Sequence, residues 1–315
     1  MLRGRLAPSP TGALHLGNAR TFLLAWLSLR ARGGAVILRI EDLDGPRIKP
    51  ETVERMIDDL RWLGLDWDEG PDVGGPVGPY VQTERLDRYE AAFAKLRAAG
   101  RVYPCQCSRS DIERAASAPH VGEEGPPYPG TCRGRTAAVD GDAAWRFRVA
   151  AGPCGVEDRF AGAETWNLET LCGDFVVRKR SGAAAYQLAV VVDDAAMGVT
   201  QVVRGDDLRS STPRQLQLYQ ALDLPPPEFY HVPLVVGPDG RRLAKRHGDT
   251  RVERFRAAGV RAERLAGLLA YWCGLAAAGE ELRPRDLVER FEWSRVRRER
   301  IVCDEEAALR ALSDR

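Results

Sequence analysis

The chain has 315 residues, with 46 basic and 45 acidic side chains and a formal net charge of +1. Hydrophobic residues make up 44% and charged ones 29%, the balance of an ordinary globular protein, which disfavours disorder and fibrous repeats. No apolar run approaches the roughly 20 residues of a spanning helix, and the first residues lead into a Pro/Gly loop instead of an apolar signal core. A cytoplasmic protein of about two domains is expected. Near-neutral overall charge leaves room for a local basic stripe that binds phosphates.

Residues 2–6 read as a short strand, followed by a loop from Ala7 to Gly12. A helix is predicted over 19–32, with apolar Phe22, Leu23, Trp26, Leu27 and Leu29, stopping at Gly33 and Gly34. Residues 35–40 form an apolar strand that delivers Glu41, Asp42 and Asp44 at its carboxyl end. Helices follow over 51–63, just after Pro50, and over 84–99. Strand, glycine-bearing loop, helix and strand open a doubly wound α/β nucleotide-binding domain, whose ligands sit at the carboxyl ends of the strands.

From 103 to 135 the composition turns to Cys, Pro, Gly and Ser, an insertion that needs something other than an apolar core to hold it. The α/β pattern returns with strands near 175–178 and 200–203 and a helix over 213–222, capped by Ser211 or Thr212. Pro225, Pro226 and Pro227 make a stiff connector. After a loop over 237–248 the remainder reads as helical. The expected organisation is a catalytic α/β domain over 1–102 and 136–250, the insertion at 103–135, and a helical extension over 251–315.

Three groups of residues carry chemistry. The stretch from Arg5 to Asn18 joins a strand, a glycine loop and a helix start, where unpaired N–H groups and the helix dipole favour phosphate. There Asn18 suits the N-cap, Gly17 lets backbone approach a ligand, and His15 can donate to a phosphate oxygen. A surface turn with a stray histidine explains the same residues when they are taken alone. The glycine-bounded loop over 237–248 holds Lys245, one of only four lysines with Lys49, Lys95 and Lys179. Its ammonium can close over a triphosphate and stabilise departing pyrophosphate, although by itself the segment is equally a solvated basic hairpin. Finally, Cys105, Cys107 and Cys132 lie in the coreless insertion and suggest one structural zinc ion per chain. Three thiolates are one short of a tetrahedron; on ligand chemistry alone His120 is the natural fourth, and unligated thiols are the alternative. Cys154, Cys172, Cys273 and Cys303 are scattered and read as small buried residues.

Taken together, the two nucleotide motifs resemble those of class I aminoacyl-tRNA synthetases, at the first strand and after the last strand of a Rossmann-type domain. The resemblance narrows to the glutamyl branch through residues 5–9 (RLAPS), 39–44 (RIEDLD), Tyr186-Gln187 with Asp193-Asp194, and Arg204-Gly205-Asp206-Asp207 followed by Ser211-Thr212-Pro213-Arg214-Gln215. It spans residues 3 to about 250. Two departures stand out: Asn18 replaces the histidine that ends the generic first motif, and Arg242 and Ala244 replace the first lysine and the serine of the second.

The resemblance implies ATP with Mg2+ as substrate, bound by His15, Gly17, Asn18 and Lys245, with His15 and Lys245 catalytic. It implies L-glutamate bound by Arg5, Ala7, Ser9, Glu41, Tyr186 and Arg204. The chemistry agrees, since two carboxylates and an ammonium call for arginine forks at Arg5 and Arg204, an anion at Glu41 and a hydrogen-bonding wall at Tyr186. With 46 − 4 = 42 arginines, a surface ion pair is the plain alternative for each arginine. The resemblance also points to Tyr128 instead of His120 as the fourth zinc ligand.

Only 315 − 245 = 70 residues follow Lys245, too few for the anticodon-binding domain that similar full-length glutamyl synthetases carry. The short form resembles the glutamyl-queuosine tRNA(Asp) synthetases. That implies tRNA-independent activation of glutamate and its transfer to wobble queuosine, with the tRNA(Asp) anticodon stem-loop as partner, no membrane, and a monomer. Arg295, Arg297, Arg298 and Arg300 would supply phosphate contacts. A truncated glutamyl-tRNA synthetase charging the 3′ end of tRNA(Glu), a small-molecule adenylyltransferase and a zinc-stabilised RNA-binding paralogue remain as alternatives; retention of His15 and Lys245 argues against the last.

Overall fold

The computed structural model describes residues 1–10, 13–43, 50–115, 126–135, 142–241, 243 and 249–313. The apolar opening forms strand β1 (Arg3–Leu6), helix α1 (Leu16–Arg30) and strand β2 (Ala35–Leu38), with β2 parallel to β1. Gly4 permits this packing: a Cβ there would lie 2.8 Å from Leu29 Cδ1, so α1 lies directly against β1. Helices α2 (Pro50–Trp62) and α3 (Leu86–Ala98) follow close to their expected positions.

The chain then leaves the sheet through β3 (Val102–Cys105), α4 (Arg109–Ala115) and β4 (Ala144–Phe147). A hairpin of β5 (Pro153–Asp158) and β6 (Gly162–Asn167), the one-turn α5 (Leu168–Leu171) and β7 (Phe175–Arg178) come next. The α/β alternation resumes with α6 (Tyr186–Ala196), β8 (Gln201–Gly205), α7 (Ser211–Leu222) and β9 (Glu228–Val232). Last come β10 (Val235–Val236), α8 (Val252–Ala257), α9 (Ala262–Cys273), β11 (Ile301–Val302) and α10 (Glu305–Ser313).

The main sheet runs β2-β1-β8-β9-β5-β6, parallel throughout except for β6, which is antiparallel to β5 at the edge. Alternate residues of each inner strand enter opposite cores, as a sheet buried on both faces requires. Val36, Leu38, Val203 and Tyr230 join a core with α1, α2 and α9; Ile37, Val202 and Phe229 join one with α3, α6 and α7. From β1 the chain moves outward to β2 and later resumes on the other side of β1 at β8. The carboxyl ends of β1 and β8 therefore flank the crevice where a doubly wound sheet binds its ligands.

Several expectations are corrected. Strand β7 belongs not to the parallel sheet but to a separate antiparallel sheet of order β3-β4-β7. It is drawn there by apolar packing, with the Phe147 and Phe175 rings 5.3 Å apart. Helix α7 is not capped by Ser211 or Thr212: it starts at Ser211 behind Ser210, because both hydroxyls are spent on tertiary partners. Beyond 250 the chain is not purely helical. It also forms β11, parallel to β10, and Trp293 stacks on Tyr230 of the sheet at 4.7 Å. Among the described residues no helix is long and apolar enough to cross a membrane.

Candidate active site

A cleft of about 470 Å³ opens at the carboxyl ends of β1 and β8. Arg5, Ala7, Ser9, His15, Gly17, Asn18, Glu41, Tyr186 and Arg204 all line it. These are the expected glutamate and nucleotide residues apart from Lys245, which lies outside the described residues together with Asp44, Arg242, Ala244 and His120.

At one end, a buried charge network joins the carboxyl ends of two strands, β1 and β2, to a helix. Asp194 of α6 accepts from Arg39 Nη1 at 2.6 Å and from Arg5 Nε at 3.3 Å, and Arg39 Nη2 donates to Glu41 Oε1 at 2.9 Å. Burial pushes the Asp194 carboxyl up, but Arg39 and Arg5 outweigh it and hold it below the usual carboxylate range. For Glu41 burial wins over Arg39 and Arg5, and its carboxyl is raised. Neighbouring Asp193 is occupied separately by Arg85, Gln82 and Tyr89. Arg5 and Glu41 thus reach the cleft already oriented by their neighbours, and Tyr186 stands half-exposed on the wall at the start of α6.

Arg204, which also lines the cleft, has a different shell. Its Nε donates to His231 Nε2 at 2.9 Å and its Nη2 to Thr212 Oγ1 at 2.8 Å, while Nη1 is buried with no hydrogen-bond partner among the described residues. Burial pushes this guanidinium below its usual range. A buried arginine with a spare donor beside a polar cleft is suited to an anion.

At the nucleotide end, the helix start is made by His15, not Asn18. His15 is extended (φ −101°, ψ 160°) and its Nδ1 accepts from the Asn18 backbone N–H at 3.4 Å. An accepting Nδ1 leaves the neutral ring's proton on Nε2, the donor needed for a phosphate oxygen. The segment that follows the second motif meets the first: Leu16 N donates to Thr250 O at 2.9 Å and Val252 N to Leu14 O at 2.8 Å. The chain leaving the Lys245 loop is therefore bonded to the first motif on both sides of His15.

The cysteine trio forms a second centre. The sulfurs of Cys105, Cys107 and Cys132 lie within 4.8 Å of one another, with Cys107 and Cys132 3.6 Å apart. Thiolates at Zn–S distances of about 2.3 Å on a tetrahedron stand about 3.8 Å apart, so the trio fits zinc. The Tyr128 hydroxyl is 3.4 Å from the Cys105 sulfur and 3.8 Å from that of Cys107. Its placement depends on Gly173, which has φ +62° and where a Cβ would lie 2.3 Å from the Tyr128 carbonyl oxygen. Burial raises the Cys105 thiol, but hydrogen bonds with Tyr128 and Arg146 bring it down to about 7. Such a sulfur is readily ionised for a metal.

The family of class I tRNA synthetases (E and Q), catalytic domain, matches residues 1–308. The chain belongs to this family. Membership makes the protein an aminoacyl-tRNA synthetase-type ligase that uses ATP. The synthetase is 53% identical over 98% of its length to the glutamyl-Q tRNA(Asp) synthetase of Symbiobacterium thermophilum, covering 98% of that protein. It is 50% identical to the enzyme of the same name from Nitratidesulfovibrio vulgaris, over 91% of both chains. Among solved structures it resembles a glutamate tRNA ligase from Elizabethkingia meningosepticum in complex with its amino acid. There the TM-score is 0.82 at 27% identity, over 98% of this chain and 68% of that one.

The shell behind Arg204 leaves little trace in the sequence. Thr212 stands out in the sequence as a helix-cap candidate and as part of the 211–215 motif, with no role beside Arg204, and His231 and Asp158 carry no local signal at all. The C-terminal arginines are partly engaged within the molecule: Arg298 donates to Phe160 O at 2.7 Å, Arg300 pairs with Asp206 at 3.6 Å, and Arg297 lies over the Tyr271 ring at 4.9 Å. All three remain exposed at the surface.

Proposed function

We propose that the protein activates L-glutamate with ATP in the absence of tRNA and transfers it to queuosine at the wobble position of tRNA(Asp), acting as a monomer on the anticodon stem-loop. The observation that carries this reading is the similarity, along nearly the whole chain, to proteins of that named activity. A cleft with two arginines and a glutamate at one end and a helix start at the other supports it.

A glutamate carboxylate oxygen attacks the α-phosphorus of ATP, giving glutamyl-adenylate and releasing pyrophosphate. A hydroxyl of the queuosine cyclopentenediol then attacks the acyl carbon, and AMP leaves. Arg5 and Arg204 take the substrate carboxylates, Glu41 its ammonium, and Tyr186, Ala7 and Ser9 the remaining polar edges. His15 donates through Nε2–H, Gly17 and Asn18 supply the helix start, and the Lys245 ammonium meets the charge that develops on pyrophosphate. Positioning and preorganised charge supply the catalysis, with no covalent enzyme intermediate.

Exchange of labelled pyrophosphate into ATP should require glutamate and proceed without any tRNA. Exchange that begins only when tRNA(Glu) is added would favour a synthetase charging the 3′ end of that tRNA.

Zinc held by Cys105, Cys107, Cys132 and Tyr128 would staple the insertion, whose described residues form only a small apolar cluster of their own. Metal analysis of protein purified without chelator should find one zinc per chain, and Cys107→Ser should lose most of it. Metal-free wild-type protein of full activity and unchanged melting temperature would remove zinc from the account.

A further inference from the structure

Arg204 and His231 are direct neighbours across the parallel pair β8 and β9. His231 is 2% exposed, and each of its ring nitrogens is engaged. Arginine Nε can only donate, so His231 Nε2 accepts from it at 2.9 Å. The Thr212 hydroxyl, itself accepting from Arg204 Nη2, stands 3.2 Å from the same nitrogen. The ring proton is therefore on Nδ1, which donates to Asp158 Oδ2 at 2.5 Å. Asp158 in turn is fixed by backbone N–H groups: His231 N donates to Oδ2 at 3.1 Å, and Phe160 N to Oδ1 at 2.9 Å.

We propose that His231, held by Asp158, is a positioning residue for Arg204 that aims its spare Nη1 donor at a carboxylate of the amino-acid substrate. The proposal rests on the reading of Arg204 as a glutamate-binding residue. It extends that reading to a chain of three residues on three adjacent strands, of which only Arg204 lines the cleft. Geometry supplies the reason. Nε and Nη2 of the planar guanidinium are held by His231 and Thr212, and a planar group held at two of its nitrogens has the position of the third, Nη1, fixed as well. Without the His231 acceptor the guanidinium can rotate, and a displaced binding group costs far more than the hydrogen bond itself.

The arrangement works only with a neutral ring. A protonated Nε2 would face the Arg204 guanidinium donor to donor. The charged groups facing the imidazole are Asp158 from β5, Arg204 from β8 and Arg209 beyond it. Burial lowers the His231 pKa and outweighs the Asp158 hydrogen bond, which opposes it, so the ring is neutral at ordinary pH.

The test compares His231→Leu, His231→Gln, Arg204→Ala and the His231→Leu/Arg204→Ala double variant in glutamate-dependent pyrophosphate exchange, with folding checked by thermal melting. His231→Leu should raise the glutamate KM about tenfold or more while moving the ATP KM less than about twofold. Glutamine, which keeps an acceptor near Nε2, should recover much of the loss. The double variant should be no worse than Arg204→Ala alone, since both changes act through one group. Additive effects, or an unchanged glutamate KM in His231→Leu beside a raised one in Arg204→Ala, would overturn the proposal. An Arg204→Ala variant with unchanged glutamate KM would instead overturn the reading of Arg204, and the proposal with it. Should His231→Leu fail to fold, the pH profile decides. The wild-type glutamate KM should rise as pH falls through the range where His231 protonates, and that rise should be absent in His231→Gln; identical profiles would overturn the proposal.

Discussion

Replacing Asp194 with alanine should lower the stability of the protein by about 3–5 kcal/mol, because it strands two buried arginines without their shared anion. Arg39 is fully buried and Arg5 is 6% exposed, so neither can turn to water without moving the strand that carries it. Spread over a chain of this size, the loss corresponds to a fall of roughly 10 °C in melting temperature. The sign of the pH dependence follows from the same pairs. The Asp194 pKa is lower in the folded protein than in the unfolded chain. Its contribution is therefore complete above the ordinary carboxylate value of about 3.9 and is lost as pH falls through the folded value. Thermal melts of wild type and Asp194→Ala at neutral pH would check this. A difference of less than about 2 °C would mean that Arg5 and Arg39 find other partners.

Arg204→Ala should spare stability by comparison and strike substrate selection. A site built around a charged hydrogen bond penalises its loss by about 3–4 kcal/mol, roughly a 10²–10³-fold fall in kcat/KM for glutamate. The ATP KM should change little, since the nucleotide is assigned to the helix start at His15 and not to Arg204. Steady-state exchange with each substrate varied in turn separates the two. An equal loss for ATP and glutamate would make Arg204 a phosphate ligand or a structural residue.

What was legible in the sequence was local. Arg5 lies near the end of β1 with Ala7 and Ser9 just beyond it, Glu41 follows β2 closely, and Arg204 lies near the end of β8. Strand ends can be read from apolar runs a few residues long, and the doubly wound fold puts such ends together. The partners least legible were those remote in the chain: Asp194 stands 189 residues from Arg5, and Asp158 stands 73 from His231. Strand β9 hid because a histidine in Glu-Phe-Tyr-His-Val breaks the apolar run expected of a central parallel strand. The β5–β6 hairpin hid because Pro, Gly and charged residues interrupt it, as an edge position tolerates. Asparagine is the commoner cap, so the sequence favours Asn18 as the helix start. His15 takes the position instead because its ring reaches the Asn18 N–H from an extended backbone.

The central claim is that a modified anticodon base, not the 3′ end of a tRNA, receives the glutamate. A queuosine diol offers the activated acyl group the same kind of nucleophile as a terminal ribose, so the chemistry of the cleft is compatible with either. The acceptor itself must discriminate. Phosphate contacts will make affinity fall with salt whichever end is bound, so the comparison has to be made at fixed ionic strength. The direct measurement is transfer of labelled glutamate to an isolated tRNA(Asp) anticodon stem-loop, carrying either queuosine or guanine at the wobble position. The account predicts glutamate on the queuosine loop and none on the guanine loop. Transfer that instead requires an intact 3′-terminal CCA end, and proceeds without queuosine, would contradict it.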